Sequence, residues 1–150
     1  MTETQPMMKY LCEKHNPDML GKTLEERATL EQVGNVISGI KGKVTMPCYS
    51  SGDEGAVAEA AKEGLPAIVK FLGTKEFLIG DYLTWLDLYF FEVLELINFV
   101  TKGAILEEFT TIKEYHERIA NVDKVKAYRT GDRWENLIFN NKVAKINGTG

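Results

Sequence analysis

The sequence of 150 residues holds only two cysteines, two histidines and four prolines. Cys12 and Cys48 have no metal-ligand spacing, and His15 and His116 are isolated in sequence, so no structural zinc site is expected. Two distant thiols read as reduced core residues of an intracellular protein. No excess of positive charge is present: 18 basic against 22 acidic residues give a formal net charge of -4. That balance argues against a nucleic-acid or anionic-membrane surface. No long apolar run occurs either. The most apolar stretch, Trp85 to Val100, is broken by Asp87, Glu92 and Glu95 and is too short for a bilayer span. The first residues show no basic stretch followed by an apolar one, so no secretory leader and a cytoplasmic location are expected.

Strand-type alternation, repeats and low-complexity tracts are also missing. What remains is a series of helical patterns. A first helix is expected from Thr4 to His15, with Thr4 as N-cap, Pro6 tolerated in the first turn, and Met7, Met8, Tyr10 and Leu11 as its apolar face. Asn16-Pro17-Asp18 ends it. Thr23-Leu24-Glu25-Glu26 reads as a capping box that opens a second helix, and Leu30, Val33, Ile37, Ile40 and Val44 follow at steps of three and four. Gly34, Gly39 and Gly42 weaken that helix and suggest close packing or a bend.

Met46 to Asp53 reads as a turn region. A third helix is expected from Glu54 to Leu72, with Val57, Ala61, Leu65, Ile68 and Leu72 on one side and Pro66 as a kink. Leu83-Thr84-Trp85-Leu86-Asp87-Leu88 combines a cap, an acidic third position and a hydrophobic staple. Thr84 and Asp87 are structural residues here, each worth about 1 kcal/mol by typical cap losses. The helix beyond is apolar nearly all round, which places it at a bundle centre. Two further helices are expected, Leu106 to Ala120 and Val122 to Thr130. A tail with Trp134, Leu137, Ile138 and Phe139 lies across the bundle and frays at Asn147 to Gly150. The fold class is therefore all-α, a bundle of about six helices.

Phe71-Leu72-Gly73, Phe77 to Asp81 and Leu83 to Asp87 resemble the stretch of glutathione transferases that carries their helix-capping and staple motif. Cys48-Tyr49, Leu65-Pro66, the tail with Phe139, and Thr2-Glu3-Thr4 through Lys14-His15 point to the mu class. The resemblance implies a residual last helix of a thioredoxin-like domain over residues 1–15 and a helical C-terminal domain over 16–150. The rest of the thioredoxin-like domain, with the tyrosine that activates the thiol, has no counterpart in these residues. No catalytic residue is therefore assigned.

By resemblance, Glu3 and Thr4 hold the γ-glutamyl end of glutathione, where a helix N-terminus suits a carboxylate. Tyr49 and Phe139 line the second-substrate pocket. Without a resemblance, Thr4 is only a cap, Glu3 a solvated charge, and Tyr49 and Phe139 packing residues. One departure is that the aspartate used by the mu class at its dimer interface has no match around Ser38-Gly39.

Two functions are in view. The first is a non-catalytic interaction or structural subunit, with Met7 and Met8 in an exposed patch that binds a protein partner or a second copy. The alternative is a glutathione transferase that adds glutathione to electrophiles, of which this chain is one part. A small-ligand carrier is the weaker third. No resident cofactor or metal is expected, with glutathione as a possible substrate.

Overall fold

The computed structural model describes residues 2–131 and 138–146. Among these it holds seven α-helices: α1 Thr4–His15, α2 Leu24–Tyr49, α3 Glu54–Leu72, α4 Trp85–Thr101, α5 Ala104–Glu108, α6 Thr110–Ala120 and α7 Asp123–Arg129. A 3-10 turn, Pro17–Leu20, joins α1 to α2. The only strand-like feature there is a single bridge between Phe77 and Gly80.

The apolar stripes read from periodicity are the core. Leu30, Val33, Ile37, Ile40 and Val44 of α2 face Val57, Ala61, Leu65, Ile68 and Leu72 of α3, all buried. Between α3, α2 and α6 runs α4, with Trp85, Leu86, Phe90, Leu94 and Ile97 inside. Its N-terminus is built as expected. Thr84 donates from N–H and hydroxyl to Asp87 Oδ2 at 2.8 and 2.6 Å, and the Leu78 N–H reaches Asp87 Oδ1 at 2.9 Å. Leu83 and Leu88, the staple pair, both pack on the core.

Several expectations need correction. Thr4 is not the cap of α1. Glu3 holds that position at φ 69°, with no side-chain cap bond, and Glu3 O accepts the first helical bond from the Met7 N–H at 3.2 Å. The α1 face is not covered: no α1 residue is fully buried, and Met7, Tyr10 and Leu11 are exposed. Only Met8 and Cys12 pack against the core.

Met46 to Tyr49 is helix rather than turn. Pro47 removes just its own donor, while the Ser50 N–H bonds Met46 O at 3.0 Å and the Cys48 side chain is buried. The segment from Leu106 to Ala120 is two helices, because Phe109 (φ -111°, ψ 75°) turns inward and breaks the helical path. Gly39 and Gly42 approach nothing, whereas Gly34 lies under Trp85. The true close approach is at Gly64, where an added Cβ would stand 2.7 Å from Ile40 Cγ1. Trp134, Leu137 and Asn147 to Gly150 lie outside the described residues.

Candidate functional site

The first turn of α1 leans on α2 and α4. Gln5 Nε2 donates to Ser38 Oγ at 2.5 Å, and that hydroxyl donates to Gly34 O at 2.9 Å. The Tyr89 hydroxyl of α4 stands 3.4 Å from the same Ser38 oxygen. Farther along α1, Lys9 pairs with Glu31 at 2.6 Å and lies 4.7 Å from the centre of the Trp85 ring. These polar ties hold a helix that buries little apolar surface.

Three clefts surround α1. One, of roughly 540 Å³, is lined by Glu3, Thr4, Gln5, Pro6, Ser38, Lys41, Gly42, Thr45 and Tyr89. A second, of roughly 440 Å³, shares Thr4, Lys41 and Tyr89 with it and continues over Met8, Leu88, Phe91, Glu92, Lys124, Val125 and Tyr128. A third, of roughly 340 Å³, meets the second at Met8 and Leu88 and is lined besides by Leu11, Cys12, His15, Asn16, Met19 and Trp85. The second and third are the size of ordinary ligand clefts and mostly apolar.

The charges present are few. Lys41 stands 5.0 Å from the Tyr89 ring centre. Desolvation by neighbouring side chains pushes the carboxyl of the exposed Glu92 above its usual range, and Lys41 opposes that shift. Burial also raises the Cys12 thiol, which weakens it as a nucleophile at neutral pH.

Of the residues singled out from sequence, the structure brings Glu3 and Thr4 together in the polar cleft. Tyr49 and Phe139 line none of the three clefts around α1. The Tyr49 hydroxyl accepts from the Asn141 N–H at 3.2 Å. The Phe139 ring lies 5.1 Å from that of Phe99. The tail is further tied by the Lys145 and Ile146 N–H groups, which share Cys48 O at 2.7 and 3.2 Å. Thr84 and Asp87 are buried capping residues remote in role from any cleft.

Sequence reasoning missed a buried polar cluster. Glu95 of α4 contacts His116 Nε2 of α6 through Oε1, and Arg129 Nη2 of α7 reaches both its oxygens at 3.2 and 3.3 Å. The signal was a glutamate in the middle of an apolar helix, one turn after Phe91. Among the described residues no group of three or more His, Cys, Asp or Glu could hold a metal ion. No helix there is long and apolar enough to cross a membrane.

Fold and site together define a class: an all-α domain with a lightly held N-terminal helix on an apolar face. The sequence profile described as "Glutathione S-transferase, C-terminal domain" matches residues 44–132. The chain belongs to that family. It is 29% identical over 152 residues to the glutathione S-transferase class-mu 26 kDa isozyme 51 of Fasciola hepatica, covering 99% of this chain and 68% of that protein. It is 30% identical over 149 residues to the glutathione S-transferase Mu 5 of Mus musculus, covering 97% of this chain and 65% of that one. The chain thus spans about two thirds of the length of these relatives. The solved structure of the glutathione S-transferase Blo t 8 superposes with a TM-score of 0.86 at 20% identity, over 98% of this chain and 71% of that one. That likeness establishes the same fold.

Proposed function

We propose that this chain is a helical module of the glutathione transferase type that acts by holding a second protein body, and that it performs no catalysis by itself. The observation that carries this reading is the uncovered state of α1. A helix that buries none of its residues, exposes Met7, Tyr10 and Leu11, and has apolar clefts on both sides of Met8 is an incomplete interface. The occupant we favour is a thioredoxin-like domain. About a third of the length of the mu-class relatives lies outside the matched region, the family profile describes a C-terminal domain, and Glu3 and Thr4 line a cleft beside α1. A cytoplasmic location belongs to the same reading.

The test uses the whole chain. Purified alone, it is expected to leave 1-chloro-2,4-dinitrobenzene unconjugated in the presence of glutathione; measurable conjugation overturns the non-catalytic reading. A thioredoxin-like half taken from a mu-class relative and titrated in should bind. The double change Met7→Glu and Met8→Glu should weaken that binding about tenfold or more, the usual loss for apolar anchors. Unchanged binding rejects this face. Light scattering of the chain alone would reveal self-association on it instead.

A second reading has its own support. In the polar cleft, Glu3 and Thr4 sit at the start of α1 with Lys41 facing the same space. A helix N-terminus with a nearby cation suits the carboxylate of glutathione. On that reading the chain contributes one side of a glutathione site completed by the second body. Thr4→Ala should then weaken glutathione binding by the assembled pair and leave the binding of the two halves intact.

A further inference from the structure

The wall of the central cleft that lies opposite α1 is made by α7, which supplies Lys124, Val125 and Tyr128. This helix has seven residues and buries none of them fully. That is well under the length at which an isolated helix holds in water, so its order comes from docking. Its apolar anchor is Val125, which is only partly buried. A polar anchor is Arg129 at its C-terminal end, which reaches Glu95 of α4.

Arg129 is not an ordinary surface cation. Its partner Glu95 is 5% exposed and receives Nη2 on both carboxylate oxygens at 3.2 and 3.3 Å. The guanidinium also lies 5.5 Å from the ring centre of Phe91, one turn earlier on α4. The opposite partner of Phe91 is His116 of α6, stacked at 4.9 Å and 22°, and His116 Nε2 shares Glu95 Oε1. Glu95 and Phe91 of α4 therefore grip α6 through His116 and α7 through Arg129. The two grips are unequal. His116 is buried and belongs to a helix with four buried residues, whereas Arg129 is partly exposed on a helix that has none. Water therefore reaches the partly exposed Arg129 more readily than the buried His116. The weak joint is thus α7 against α4.

We infer that the Glu95–Arg129 contact is a latch that sets the width of the cleft: closed, it holds α7 as a wall beside Phe91; released, it lets α7 leave α4 and opens the apolar floor. This rests on the reading of the α1 face as a docking surface, since that cleft is the part of the face the latch controls. Glu95 is then a positioning residue for the α7 wall. It touches no occupant.

The experiment is amide hydrogen exchange on the full chain without any partner, with the apolar anion 8-anilinonaphthalene-1-sulfonate as a separate probe of the cleft. Arg129→Met keeps the stem and removes the charge. Exchange across residues 123–130 should accelerate about ten- to a hundredfold, the range for losing one charge-assisted bonded pair, while α4 and α6 keep their protection. Dye fluorescence should rise, and Met8→Glu added to Arg129→Met should remove the rise. Arg129→Lys, which keeps the charge without the two-oxygen geometry, should fall between. Lys126→Met, on the same helix outside the cluster, should change nothing. Unaltered exchange of α7 in Arg129→Met overturns the latch. So does exchange that rises equally in α4 and α6, which would make the cluster a global stability element, or faster α7 exchange with no gain in dye binding. None of these outcomes depends on the second body, so a failed latch and a failed docking face are told apart by the separate Met7 and Met8 binding test.

Discussion

The Tyr115 hydroxyl of α6 donates to Asp87 Oδ1 of α4 at 2.8 Å, inside the core, with both residues fully buried. One carboxylate thus caps α4, fixes the Leu78 loop and ties in α6. Burial pushes the Asp87 carboxyl up, and its hydrogen-bond donors, Thr84 foremost, pull it back. Burial beside Asp87 also keeps the Tyr115 phenol protonated far beyond the usual range. Asp87→Ala orphans donors on Leu78, Thr84 and Tyr115 at once. Urea unfolding should show a loss of about 3 kcal/mol or more. Tyr115→Phe, which removes one donor and leaves other partners on Asp87, should cost about 1 kcal/mol. Equal losses for the two changes would mean that Asp87 is not the hub.

Gly64 and Gly39 should respond to alanine with opposite signs. At Gly64 the new Cβ meets Ile40 at 2.7 Å, where α3 crosses α2, and the clash should destabilise by about 1–3 kcal/mol. At Gly39 nothing lies within 4 Å, so Gly39→Ala should stabilise by about 0.5–1 kcal/mol through helix propensity. Thermal melts of the two variants decide it, and a destabilised Gly39→Ala would contradict the open space beside this glycine.

The two thiols should be slow and unequal. Burial raises both Cys12 and Cys48, so at neutral pH each holds less thiolate than a free cysteine with its pKa of about 8.5. Alkylation by iodoacetamide should therefore lag behind a model thiol at pH 7.5 and keep gaining with pH beyond the point where the model thiol levels off. Cys12, half-buried on the inner side of α1, should react first; Cys48, fully buried, should react only on unfolding. Mass spectrometry of the labelled chain shows the order, and fast labelling of Cys48 in the native state would contradict the packing at the end of α2.

The tail should come loose without loss of the bundle. Tyr49→Phe removes the acceptor of the Asn141 N–H, and Phe139→Ala removes the ring against Phe99. Each should cost global stability less than about 1 kcal/mol and speed exchange of the amides at Asn141, Lys145 and Ile146 while α2 stays protected. A glutathione transferase assay on an assembled enzyme would separate a packing role for Tyr49 from a pocket role, because only the latter changes turnover with electrophile.

Much of the bundle was legible because its signals are local or periodic. The α3 stripe from Val57 to Leu72 and the boundaries Glu54–Leu72 agree with the structure, and so does the cap of α4 at Thr84 and Asp87. The errors arose where a local signal met a tertiary one. Pro47 reads as a break, yet a proline in the last turn loses one bond and Cys48 is held by the core. The stretch after Leu106 reads as one helix, yet Phe109 is drawn inward and splits it. His116 looked isolated because its partner Glu95 is 21 residues away along the chain and meets it only in the folded bundle.

By itself the sequence determined an all-helical bundle, the stripes that fill it, the capping of α4 and the glutathione transferase resemblance, since these depend on spacing within a turn or two. Tertiary structure alone decided that α1 stands uncovered, that Glu3 and Thr4 share a cleft with Lys41 while Tyr49 at the end of α2 holds the tail through Asn141, and that a buried glutamate ties α7 to the core. The physical reason is that exposure and ion pairing depend on which distant residues arrive beside a side chain, and helical spacing carries no record of them.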